Sequence, residues 1–177
     1  MKELTNIAKD YLEAVEVLTE ARSTFEREMA EWWSGVIDET VKPALKEMGP
    51  KTLHIWENKT NPGKSHWRVE HKSPMRIEIK DPRVSGQKSY RVALQFSSNP
   101  KLQEHKKDNK LVDRLEEVAK QHGVAGKDGL NWKTWELACI EVPLQPDDPE
   151  GTAEQVRDAA VRFFQVLLEH RQATEKM

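Results

Sequence analysis

The hydrophobic period of this chain changes once, near its first third, and that change limits the folds open to it. Up to Met48 the apolar residues recur at helical spacing; from Leu53 to Phe96 they alternate with polar ones. Gly49-Pro50 stands between the two regimes. Glycine can take a left-handed helix cap, and proline cannot continue a helix. A helical segment therefore hands over to a run of strands, which excludes both an all-helical bundle and an all-β barrel.

Leu4, Tyr11, Leu18, Phe25 and Trp32 recur every seven residues, with Ile7, Ala14 and Ala21 on a second track. The spacing predicts a helix over 2–33, extending roughly 50 Å. That is longer than one small domain needs. Its first part is expected to pack on something beyond its own sheet, most simply a second copy of itself. Ser34-Gly35 is read as a bend. A second helix is expected over 36–48, kinked at Pro43. Since Trp32 occupies the stripe, Trp33 is expected at an interface.

Four alternating runs follow: Leu53 and Ile55; Trp67, Val69 and His71; Met75, Ile77 and Ile79; and Tyr90, Val92, Leu94 and Phe96. Turn signals at Asn61-Pro62-Gly63, Ser73-Pro74 and Pro82 to Gly86 separate them. A helix over 108–122 stops at Gly123. A fifth strand is expected over 131–142, and a last helix begins near Thr152, which stands at capping-box spacing from Gln155. The expected fold is α+β, with a mostly antiparallel sheet of about five strands (a β-meander plus one) and helices packed on one face. One domain over 1–177 is expected, with 1–33 as an extended helix serving oligomerisation.

The charge is uneven. Residues 1–50 carry a net −5, residues 51–110 a net +8 and residues 111–177 a net −5. On the polar strand positions and their loops stand Lys64, Arg68, Lys72, Arg76, Lys80, Arg83, Lys88 and Arg91. A sheet can present such cations together to nucleic acid or to an acidic protein. The other reading of the same sums is that the acidic flanks cover and neutralise the segment. The polar face is expected to be at least partly wet.

The N-terminus has no signal-peptide core, and no stretch is apolar enough to span a membrane. The single Cys139 cannot form an internal disulfide, and a reducing, cytoplasmic setting is expected. Cys139 is read as a small buried apolar residue. The six histidines lack metal-ligand spacing, the eight glycines form no phosphate-cradling loop, and no cofactor is expected.

The Trp32-Trp33 helix, the strand Tyr90 to Phe96, the helix Leu111 to Gly123, the Asn131-Trp132 strand opening and the Phe163-Phe164 helix set a pattern of type and spacing. In it, residues from about Trp32 to Arg171 resemble a poorly characterised bacterial family found beside PD-(D/E)XK-type nuclease domains in restriction-like proteins. The order of elements also resembles small secretion chaperones. The family resemblance implies a bacterial intracellular system and brings no catalytic residue with it.

Glu78-Ile79-Lys80 is the sharpest local motif. In PD-(D/E)XK nucleases a carboxylate and a lysine two apart on a strand, with an upstream acid, hold Mg²⁺ and orient water. Here Glu57 or Glu70 would be that acid, although no Asp stands on the preceding strand. Alternating Arg76, Glu78 and Lys80 also suits a solvated ion-pair face. The leading expectation is a non-catalytic binding or adaptor module using Arg68, Lys72, Arg76, Lys80, Arg83, Lys88 and Arg91. The alternative is a Mg²⁺-dependent nuclease using Glu70, Glu78 and Lys80.

Overall fold

The structure is a computed structural model; it describes residues 5–48, 54–57, 66–70, 75–80, 89–96, 104, 107, 109–124 and 136–175. Helix α1, Asn6–Gly35, opens at Thr5, whose hydroxyl accepts the Ala8 N–H at 3.4 Å. No bend follows at Ser34-Gly35. Gly35 keeps ordinary right-handed helical geometry, and the chain runs on through a π-helical turn, Val36–Val41, into α2, Lys42–Met48. Pro43 explains the wide turn. In an unbroken α-helix its ring would crowd the carbonyl four residues back, and it has no N–H to donate. Widening the preceding turn, so that the Lys42 N–H donates to the Ile37 carbonyl five residues back, carries the helix past it. Val36, Ile37, Val41 and Leu45 keep their inward spacing and are buried.

Strands β1 (His54–Glu57), β2 (His66–Glu70), β3 (Met75–Lys80) and β4 (Ser89–Phe96) pair antiparallel in chain order. After helix α3, Asn109–Gln121, strand β5, Glu136–Pro143, joins the far side of β4, also antiparallel. The class is therefore α+β, with an antiparallel sheet and a long N-terminal helix. The pairing Ile77 to Leu94, Ile79 to Val92 and Val92 to Ile140 puts the apolar residues of β3, β4 and β5 on one side. Helix α4, Pro149–Glu175, runs against these three strands and also meets α2, α3 and the π turn. Met75, Ile77, Ile79, Val92, Leu94 and Phe96 form one apolar cluster with Val156, Phe163, Phe164 and Leu167 of α4. Fully burying each large side chain contributes about 1.5–3 kcal/mol.

Trp33 belongs to this core instead of an interface. It is 1% exposed and stacks on Tyr90 with ring centroids 4.7 Å apart, while Trp32 tilts against the same ring at 5.6 Å. Two adjacent indoles thus clamp the end of α1 to β4.

The helix ends follow local chemistry. Gly123 takes φ +66°, its N–H donates to the Lys120 carbonyl, and the Val124 N–H donates to the Ala119 carbonyl. These are the paired bonds of a Schellman stop. Helix α4 starts three residues before the expected Thr152. Asp148 caps it, accepting the Gly151 N–H at 2.9 Å, and Pro149 sits at the first helical position, where its missing N–H costs nothing. Thr152 instead lies buried in the first turn. Its hydroxyl donates to the Asp148 carbonyl and accepts the Gln145 N–H, tying the incoming loop to the helix.

Candidate functional site

Arg76, Glu78, Lys80 and Arg91, four of the residues expected to carry function, stand on the polar side of β3 and β4. Arg76, Glu78 and Lys80 alternate along β3 and pair across the sheet with Gln95, Ala93 and Arg91. The face is partly wet, as expected, with Cys139 and Glu141 exposed, but its centre is buried: Arg76 is 8% exposed, Glu78 5% and Gln95 7%. Bonds among these groups offset part of the cost of burying them. Glu78 Oε1 accepts from Lys80 Nζ at 2.9 Å and from Gln95 Nε2 at 3.1 Å. Arg76 Nη2 lies 3.9 Å from Glu78 Oε2 and donates to Gln95 Oε1 at 3.4 Å. A buried charge left unpaired would cost several kcal/mol, so this network is as much a condition of the fold as a decoration of it.

The strand register sets two further pairs of opposite charge in line. Across β2 and β3, Arg68 is the Cα partner of Glu78, and Glu70 is the partner of Arg76. Opposite charges placed directly opposite stabilise a strand pair. The side chains of Arg68 and Glu70, and all of Lys72, Arg83 and Lys88, fall outside the described residues. Of the expected cations, the structure brings Arg76, Lys80 and Arg91 together. The first is buried, and the other two are half-buried Cα partners at one end of the β3–β4 pair.

Arg91 is held by a bulge. Leu94 pairs with Ala138 and Gln95 with Glu136, so Leu137 has no Cα partner and the register shifts by one. Without the shift, Glu136 would join Ala138 and Ile140 on the apolar side. With it, Leu137 enters the core cluster and Glu136 forms an ion pair with Arg91. Burial acts to lower the pKa of Arg91, but Glu136, Cys139 and Glu141 outweigh it and hold the guanidinium above its ordinary value.

Cys139 is exposed on β5, not buried as its apolar neighbours led one to expect. Desolvation raises its thiol above the ordinary value, against the pull of Arg91, whose Nη2 lies 3.6 Å from the sulfur. The thiolate is the nucleophile, so a raised pKa makes Cys139 slow. Alkylation by iodoacetamide at neutral pH is expected to run several-fold slower than for a free thiol and to speed up as pH rises. Alkylation faster than a free thiol would contradict this.

Gln95 was the part of the network that sequence reasoning missed. Its only signal was an amide in register with Arg76. On α1 the outcome is the reverse of that on the sheet: Ile7, Tyr11, Val15, Val17, Leu18 and Phe25 remain exposed. Among the described residues, no helix is long and apolar enough to cross a membrane.

The chain matches no family model, no curated protein and no solved structure.

Proposed function

We propose that this chain is an interaction module without chemistry of its own, acting within a bacterial intracellular system of the nuclease-associated kind. The exposed apolar side of α1 carries this reading. Ile7 is 81% exposed and Leu18 68%, on a helix whose other end is anchored by Trp33. A contiguous apolar surface on a helix is an association surface. The sheet supplies a smaller second contact. Lys80 and Arg91 are adjacent cations that keep part of their surface outward, and they suit an acidic protein segment. Phosphate backbones need several cations on one surface, and among the described residues Lys80 and Arg91 are the two on this face with outward surface.

The nuclease alternative asks Glu78 to act as a metal ligand together with Glu70. Glu78 is instead held by Lys80 and Gln95, and using it for Mg²⁺ would mean exchanging those partners. The test uses the full chain at low salt with a fluorescent polyglutamate peptide and with DNA and RNA oligonucleotides. Peptide binding is expected to weaken as salt rises and to fall several-fold in Lys80→Gln/Arg91→Gln. No cleavage with Mg²⁺ is expected. Mg²⁺-dependent cleavage that disappears in Glu78→Gln would overturn the reading in favour of a nuclease. Tighter binding to an oligonucleotide than to the peptide would make nucleic acid the partner.

A further inference from the structure

The exposed side of α1 has an internal order that identifies its occupant. With Tyr11, Leu18 and Phe25 at heptad position a, Ile7, Ala14 and Ala21 fall at d. The flanking e and g positions hold Ala8, Val15 and Arg22, and Asp10, Val17 and Thr24. Glu13, Glu16, Glu20 and Glu26 all fall at b, c or f, away from the seam. Arg22, the one flanking cation, is tied to Glu26 of its own helix at 3.0 Å. Apart from Leu12, every large apolar residue exposed on α1 lies at a, d, e or g.

Position a is large and position d is mostly alanine, and this decides the direction of pairing. In a parallel pair, a meets a and d meets d. Tyr11 would sit on Tyr11, Ala14 on Ala14, and Glu28, also at d, on Glu28. The helices would have to separate and close again at every layer, with like charges facing at one end. In an antiparallel pair, a meets d. Leu18 then packs on Ala14 of the second copy, Tyr11 on its Ala21, and Phe25 on its Ile7. The four Tyr11 and Leu18 layers each join a large residue to an alanine, which close packing favours, and the outer layers set Phe25 against Ile7. At the centre, Val15 meets Val15 and Val17 meets Val17. Asp10 lies near Thr24 and Arg22 near Ala8, so between residues 8 and 24 no like charges oppose. The helix dipoles also run in opposite senses.

We propose that α1 pairs antiparallel with α1 of a second copy of this chain, in the register that sets Leu18 against Ala14. The proposal rests on the interaction-module reading and specifies the partner of its apolar surface. Sedimentation equilibrium of the full chain should approach twice the 20.5 kDa monomer mass as concentration rises. Leu18→Glu should leave the helicity of the monomer unchanged, because Leu18 is exposed in the single chain. It should raise the dissociation constant at least about 100-fold, since the substitution occurs twice per dimer.

In a Cys139→Ser background, a short bismaleimide should link Asp10→Cys chains to Thr24→Cys chains when the two are mixed. It should link neither variant to itself. Self-linking of Asp10→Cys would show a parallel pair and overturn the orientation while leaving the module reading intact. A full chain that stays monomeric at high concentration would overturn self-pairing altogether. The salt-dependent peptide experiment would still judge the module reading separately.

Discussion

Replacing Glu78 by alanine lowers the unfolding free energy by about 3–5 kcal/mol, as expected for removing one partner from a buried ion pair. Glu78 is 5% exposed and is the acceptor on which Lys80 and Gln95 converge, with Arg76 alongside. The alanine variant would leave the buried Arg76 guanidinium and the Lys80 ammonium without that carboxylate. Glu78→Gln keeps the shape and an acceptor oxygen and should lose clearly less. Denaturant unfolding of both variants checks the order. Salt should change the loss little, because the pair is shielded from solvent. An alanine variant within about 0.5 kcal/mol of the parent would mean that Glu78 is solvated and available for other work.

Trp33→Ala should cost a similar amount, about 3–5 kcal/mol, the usual range for emptying a buried aromatic site. Trp33 is 1% exposed and stacked on Tyr90, so the loss combines apolar burial, ring stacking and a cavity between α1 and β4. For a chain of this size, that is a fall in melting temperature of roughly 10 °C. Trp33→Phe should lose less than half as much. It keeps a ring against Tyr90 and removes the Trp33 Nε1, which is buried without a hydrogen-bond partner among the described residues. Thermal melts followed by circular dichroism separate the two. If Trp33→Ala melts like the parent while Trp32→Ala collapses, the two indoles have been assigned the wrong way round.

Much of the fold was legible because periodicity reports backbone geometry directly. The alternation of Met75, Ile77 and Ile79, and of Tyr90, Val92 and Leu94, placed β3 and β4 and the side they bury. The misreadings share a cause. Periodicity says which residues lie together on an element, not what covers them. Arg76, Glu78 and Gln95 have the hydropathy of a wet face, and their bonds to one another and to Lys80 offset the cost of burial. Trp32 completes the heptad and leaves Trp33 off it, yet both indoles meet Tyr90 and Trp33 is the more deeply buried.

Local chemistry could also be read two ways. Gly35 permits a bend but does not require one, and Pro43 was absorbed by a wider turn. Thr152 at capping spacing competed with Asp148-Pro149, the stronger start, because an Asp cap followed by proline satisfies more of the first turn. Cys139 looked apolar among apolar neighbours, but in register it is the partner of Ala93 on the polar side. The apolar stripe of α1 was legible throughout, since an exposed heptad reads the same whether or not its partner is present.

On the polar side of β3 and β4, Arg76, Glu78, Lys80 and Gln95 hold one another in one buried network. A double-mutant cycle with Arg76→Met and Glu78→Gln, followed by denaturant unfolding, tests it most directly. Two groups in one buried network should couple by at least about 1 kcal/mol, the paired variant losing less than the two single losses combined. Losses that add to within about 0.3–0.5 kcal/mol would show that the two side chains act independently, and the sheet face would again stand open as a surface for nucleic acid or metal.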